Sequence, residues 1–176
     1  WREDSYIGVV ISKDDGKSWT KQAKIPTREG DNPDLYHELH AVEAPSGKLI
    51  VHIRNHNKQH AGETLQSEST DGGESWSVPH SIGVWGFPSH LLRLRDGRIV
   101  MSYGYRRGSM GNQARISKDE GKSWSEPITL SDNADNYDLG YTTTVELADG
   151  ELLSVWYEKM AGSSKAILRQ TRWSLV

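Results

Sequence analysis

The stretch HELHA, residues 37 to 41, sets two imidazoles around a carboxylate, the residue types from which zinc hydrolases build a metal site. An HExxH helix needs its histidines at i and i+4 on one face, whereas here His37 is followed by His40 and position 41 is alanine. The spacing excludes that chemistry. A second group, His52, His56 and His60, has the four-residue interval but falls on a strand and the loop after it, where this spacing gives the rings no common face. The chain has no cysteine, so thiolate sites and disulfides cannot contribute. No metal or cofactor is expected. What remains of HELHA is a carboxylate, Glu38, and a histidine, His40, whose use depends on what the fold places opposite them.

The elements that must position them are written as repeats. SKDDGKSW, STDGGESW and SKDEGKSW start at residues 12, 69 and 117 and share S-x-D-x-G-x-S-W, roughly 50 residues apart, the size of one four-stranded propeller blade. In each, the aspartate (Asp14, Asp71, Asp119) can accept backbone N–H groups across a tight turn. The glycine (Gly16, Gly73, Gly121) supplies a positive φ, and the tryptophan (Trp19, Trp76, Trp124) anchors the hairpin from beneath. These nine residues read as structural staples. A second repeat runs out of phase: EAPSGKLIVHIR, RLRDGRIVMSYG and ELADGELLSVWY each set a glycine, at 47, 97 and 150, between short β-branched and aromatic runs. That is a hairpin signal. Each unit then predicts an inner strand (near 38 to 44, 88 to 94, 141 to 147) and a second strand (48 to 54, 98 to 105, 151 to 158). A third strand leads into the Asp motif and a short outer one follows it.

The expected architecture is all-β: a propeller of four-stranded antiparallel blades. Residues 1 to 30 would end one blade, 37 to 85 and 87 to 130 would form two more, and 140 to 176 a last one, as one domain spanning 1 to 176. The last unit closes on AILRQTRWSLV without an Asp motif, as a final blade can when its missing strand comes from the N-terminus of the whole protein. Propellers hide their sheet edges by radial repetition, so this span is expected to be the C-terminal half of a larger ring whose remainder lies upstream.

Counting nine residues back from the three turn glycines reaches Glu38, Pro88 and Tyr141, and seven back reaches His40, His90 and Thr143. The first strand of a propeller blade lines the central channel, so equivalent positions converge on one mouth. Glu38 and Tyr141 should face the axis there, with His40 and His90 beside them. Five and three back come Val42, Leu92 and Val145, then Ala44, Leu94 and Leu147, which read as packing.

The Asp motifs, together with Glu38 followed sixteen residues later by Arg54 in ELHAVEAPSGKLIVHIRN, resemble the bacterial sialidases, or neuraminidases. YTTTVELADGELLSVWYE is similar to their tyrosine-bearing segment, with Tyr141 at the nucleophile position. The resemblance implies a six-bladed propeller when complete and an exo-acting, retaining hydrolase releasing a terminal sialic acid or related acidic sugar. Sialidases are the tyrosine exception among retaining glycosidases. A neutral phenol is not repelled by the substrate carboxylate, and its pKa of about 10 calls for an adjacent base, which the resemblance assigns to Glu38. Arginine forks would hold the sugar carboxylate. Arg54 would be the second of the family's three, and the third lies among Arg106, Arg115 and, in reserve, Arg107 in YRRGSMGNQARIS. The family's SNP segment is missing before this arginine, and its first arginine and its aspartate acid/base have no match in these residues.

Composition excludes other classes. Lys and Arg number 21 against 24 Asp and Glu, for a net charge of -3 without long like-charged runs, so no nucleic-acid tail is expected. No apolar stretch approaches the roughly 20 residues of a membrane span. Secretion or a periplasmic location follows from the family analogy alone. Two other functions remain open: an enzyme of the same fold working on a uronic or rhamnose-containing glycan through His40 or His90, and a non-catalytic Asp-motif propeller that binds glycan or protein.

Overall fold

A computed structural model describes residues 5–175; the ends of the predicted domain, residues 1–4 and 176, lie outside the described residues. The architecture is an all-β propeller of four antiparallel sheets. β1 (Ile7–Ile11) and β2 (Thr20–Ile25) form the first. The second runs in order through β3 (Tyr36–Glu43), β4 (Leu49–Asn55), β5 (Glu63–Ser69) and β6 (His80–Trp85). The third repeats this with β7 (Ser89–Arg93), β8 (Ile99–Tyr105), β9 (Gly111–Ser117) and β10 (Ile128–Ser131). β11 (Leu139–Glu146), β12 (Leu152–Lys159) and β13 (Ala166–Trp173) make the fourth.

Each step of this meander follows from local chemistry. Gly47, Gly97 and Gly150 hold φ of +85, +91 and +86°, and their N–H groups donate to Ala44, Leu94 and Leu147, so the three inner hairpins close alike. The strands that follow are continuous apolar runs because neighbouring sheets cover them: β8, IVMSYGY, is buried along nearly its whole length. One core fills each gap between sheets. Ile25, Tyr36, Val51, Ile53 and Leu65 join the first two. Ala44, Ile50, Val84, Leu91, Met101 and Tyr103 join the second and third, and Leu94, Val100, Ala114, Ile116 and Leu152 the third and fourth. Val42 packs at the edge of the middle core, whereas Val145 is 46% exposed, because on β11 it is Thr142 and Thr144 that turn toward the third sheet.

The Asp motifs form the same staple three times. Asp14, Asp71 and Asp119 each accept the N–H of the serine four residues on at 2.9 Å, and both flanking serine hydroxyls as well. These donors hold the Asp14 carboxyl at about 2 and Asp71 well below the usual range. Gly16, Gly73 and Gly121 lie at φ of +81 to +87°. Trp76 and Trp124 pack against the cores, but Trp19 is 62% exposed and joins no hydrophobic cluster of the described residues, so the anchoring expected of it is not seen. The motifs also clamp neighbouring blades. Glu120 accepts the N–H and hydroxyl of Ser46, and Gln66 donates to Gly121 O at 3.0 Å.

Candidate active site

Glu38 sits at the start of β3, on a segment fixed before the strand begins. Arg28 forks onto Asp31, the Tyr36 hydroxyl donates to the same carboxylate at 2.6 Å, and Asn32 caps the single 3-10 turn Pro33–Leu35 by accepting the Asp34 N–H. Burial, with Asp31 adding to it, pushes the Tyr36 phenol up to about 12. Between Tyr36 and Leu39 the register against β4 slips, so His37 and Glu38 together oppose Arg54.

Tyr141 stands on an equivalent irregularity. β11 slips against β12 between Gly140 and Thr143, and Tyr141 itself takes φ +52°, a left-handed conformation that bulky side chains seldom adopt. Gly140, at φ +112°, makes room for this turn; a Cβ there would meet Arg106 Nη2 at 3.2 Å. The bend turns the phenol back across the mouth, where its hydroxyl donates to Glu38 Oε1. Arg54, near the end of β4, completes the group: Nη1 donates to both Glu38 oxygens at 3.1 and 3.2 Å and to the Tyr141 oxygen at 3.4 Å. Nε donates to His56 Nε2 at 2.7 Å, and the guanidinium lies 4.4 Å from the Phe87 ring centre.

The electrostatics divide the pair. Partial burial raises the Glu38 carboxyl, but the phenol donating to it and the Arg54 charge more than offset this and hold it below its ordinary value. Tyr141 moves the other way, because its proton is shared with the Glu38 carboxylate and it is partly removed from water. Glu38 is therefore the ionised member of the pair and Tyr141 its neutral hydrogen-bond donor.

A pocket of about 220 Å³ opens beside this group, lined by Glu38, Leu39, His40, His90, Tyr141 and Thr143 among others. Leu39 borders it together with its neighbours, as Ser89 does between Pro88 and His90. His40 and His90 stack at 4.3 Å, and each accepts through Nδ1 a backbone N–H of the next sheet, from Leu91 at 3.1 Å and Thr144 at 3.4 Å. Those bonds put the remaining proton on Nε2. Burial lowers both rings, His90 to about 4, so they stand neutral at pH 7.

The candidate arginines separate. Arg106 donates one N–H from each nitrogen to the Tyr137, Phe87 and Leu139 carbonyls, pinning the loop that delivers Tyr141. Arg107 lies over Trp85 at 4.0 Å. Arg115 is not brought to the mouth. It sits on β9, the third strand of its blade, where it donates to the Tyr103 hydroxyl at 3.0 Å and to Ser125 O. Its placement among the carboxylate-binding arginines is corrected on that ground. Sequence reasoning also passed over His56 and Phe87, which hold Arg54. His56 was weighed only as a metal ligand, and no group of three His, Cys, Asp or Glu suited to a metal occurs among the described residues.

Residues 7–155 match the family described as BNR repeat-like domain. A search of curated proteins gives no match. Among solved structures, a protein of unknown function from Dyadobacter fermentans is 28% identical, with a TM-score of 0.79, over 93% of this chain and 43% of that one. The GH93 alpha-L-arabinofuranosidase of Fusarium graminearum, in complex with arabinobiose, is 20% identical with a TM-score of 0.67, over 94% and 53%. The intramolecular trans-sialidase of Ruminococcus gnavus, bound to oseltamivir carboxylate, is 20% identical with a TM-score of 0.65, over 96% and 38%. The chain thus spans about half, or less, of the length of these structures. At such identities the two enzymes share its fold.

Proposed function

Since this chain belongs to the BNR repeat-like domain family, we propose that it carries the nucleophile and base of an exo-acting, retaining glycoside hydrolase that releases a terminal sialic acid or related acidic sugar. One observation carries the reading: the Tyr141 hydroxyl donates to Glu38 while Arg54 Nη1 touches both. In the reaction, Tyr141 Oη attacks the anomeric carbon as its proton passes to Glu38, and the glycosidic C–O bond breaks. The leaving oxygen takes a proton from a carboxylic acid that the family resemblance places outside these residues. Water then attacks the glycosyl-tyrosine, giving its proton to that same carboxylate, now the base, while Glu38 returns the proton to the departing phenolate. A neutral phenol suits a substrate whose anomeric carbon bears a carboxylate. Arg54 Nη2, which has no partner among the described residues, is the N–H edge available to that carboxylate.

A second reading is favoured by how the arginines are spent. Arg106 and Arg115 are bound to this protein's own oxygens, while the neutral His40 and His90 line the pocket. That combination suits a hydrolase of the same fold whose sugar is held mainly by neutral donors. The test is turnover of a panel of fluorogenic glycosides by the full-length protein: a sialoside, a uronide and an arabinofuranoside. Sialoside or uronide turnover abolished in Tyr141→Phe is expected; turnover of the arabinofuranoside alone selects the second reading, and turnover of none refutes both. The site residues, the secreted location and the remainder of the propeller upstream stand as parts of this proposal. No helix among the described residues is long and apolar enough to cross a membrane.

A further inference from the structure

His56 lies outside the pocket, yet it is built into the site more tightly than a loop residue needs to be. Its backbone N–H donates to Leu35 O at 2.9 Å. The loop after it is closed by Asn55, whose side chain donates to the carbonyls of Gln59 and His60 at 3.1 Å. Its ring is gripped from two sides, by His37 at 4.4 Å and Phe87 at 5.3 Å between centres. This fixed ring accepts the Arg54 Nε–H at 2.7 Å.

A guanidinium is always protonated and only donates, so the imidazole nitrogen facing it must be bare. His56 is therefore held neutral, with its one proton on Nδ1. Since guanidinium is planar, anchoring Nε sets the direction of both Nη groups. Nη1 is brought to Glu38 and Tyr141, and Nη2 is left for a ligand. We propose that His56 is the positioning residue for Arg54, and that only its neutral form aims Arg54 at the Glu38 and Tyr141 pair. This rests on the glycosidase reading for its consequence in catalysis, although the coupling of His56 to Arg54 stands without it. Protonation of His56 would remove the acceptor and set a second cation against Arg54. Arg54 from β4, His37 and Glu38 from β3 are the charged or titratable groups that face the ring. Burial, Arg54 and His37 favour the neutral ring and Glu38 opposes them, with the net effect a lowered pKa.

Two arms test this on the full-length protein. In the first, 15N NMR reads the tautomer of His56 and the Arg54 Nε–H signal. The expected result is a proton on Nδ1 at pH 7.5 and a protected Nε–H signal. That signal should vanish in His56→Leu, persist in His56→Gln, whose amide oxygen can still accept, and vanish in the wild type as acid protonates His56. A proton on Nε2 at pH 7.5, or an Nε–H signal indifferent to His56→Leu, overturns the proposal. The second arm measures kcat/KM against pH for whichever glycoside the wild type hydrolyses. His56→Leu should lose about tenfold or more, the scale of a lost hydrogen bond to a charged group. His56→Gln should recover most of it and lose the part of the acid limb that His56 causes. Equal losses in both variants, or none in either, overturn the positioning role. A wild type that hydrolyses nothing refutes the glycosidase reading alone and leaves the NMR arm to decide this one.

Discussion

Acid should unlock the second sheet from the third through one histidine. His52 is 1% exposed on β4; its Nε2–H donates to Gln66 Oε1 at 3.0 Å and its Nδ1 accepts the Ser89 hydroxyl at 3.1 Å. Gln66 passes the connection on to Gly121 of the third Asp motif, and Ser89 adjoins His90 in the pocket. Burial holds the ring near 4 against an ordinary 6.5. A base whose folded pKa is depressed contributes stability that is complete above the unfolded value and lost as pH falls toward the folded one. Between pH 7.5 and 4 this one group therefore costs roughly 3 kcal/mol. The Asp-motif carboxylates begin to lose their contribution only near the bottom of this window, and they are common to both proteins compared. Urea unfolding of wild type and His52→Gln across that range is the assay, since the glutamine cannot titrate and His90 is common to both. Wild type should lose about 3 kcal/mol more than the variant on acidification. Parallel pH profiles, or an NMR titration of His52 at 6.5 or above, would refute the reasoning.

Other expectations follow from single contacts. Spectrophotometric titration of wild type against Tyr141→Phe should place the Tyr141 phenol above its ordinary value, and Glu38→Gln should bring it back down, since the carboxylate is the leading cause of the shift. Arg115→Ala should leave kcat/KM within about twofold of wild type, because its partners are Tyr103 and Ser125 and not Glu38, Tyr141 or Arg54; a hundredfold loss would return it to the site. Gly86→Ala should cost at least about 2 kcal/mol in denaturant unfolding, for its Cβ would lie 2.2 Å from the Tyr103 ring at a backbone φ of +153°.

The sheets and the opposition of Glu38 to Tyr141 were legible in the sequence because both depend on a periodic signal. Turn glycines at 47, 97 and 150 fix the hairpins, and strands begin within one or two residues of where the apolar runs put them. Counting back from those glycines pairs Glu38 with Tyr141 because both fall inside a slip of their strand, at residues 37–38 of β3 and 141–142 of β11, nine before the turn glycine in each case. Side-chain direction beyond the inner strand was not legible. Nothing in YRRGSMGNQARIS distinguishes an arginine aimed at the mouth from one aimed at Tyr103, since that depends on which strand of the blade each occupies. The contact of His56 with Arg54 was not legible because it comes from a loop conformation set by Asn55 and from Phe87, contributed by the next unit of the repeat.

The central claim is that Tyr141, with its proton taken by Glu38, forms the covalent bond to the sugar. The most direct measurement is mass spectrometry of the full-length protein after reaction with a fluorinated sialyl fluoride, which slows breakdown of the glycosyl-enzyme. The account predicts one added glycosyl group, mapped by peptide fragmentation to Tyr141 and absent in Tyr141→Phe. An adduct on Glu38 or on any other residue would contradict it.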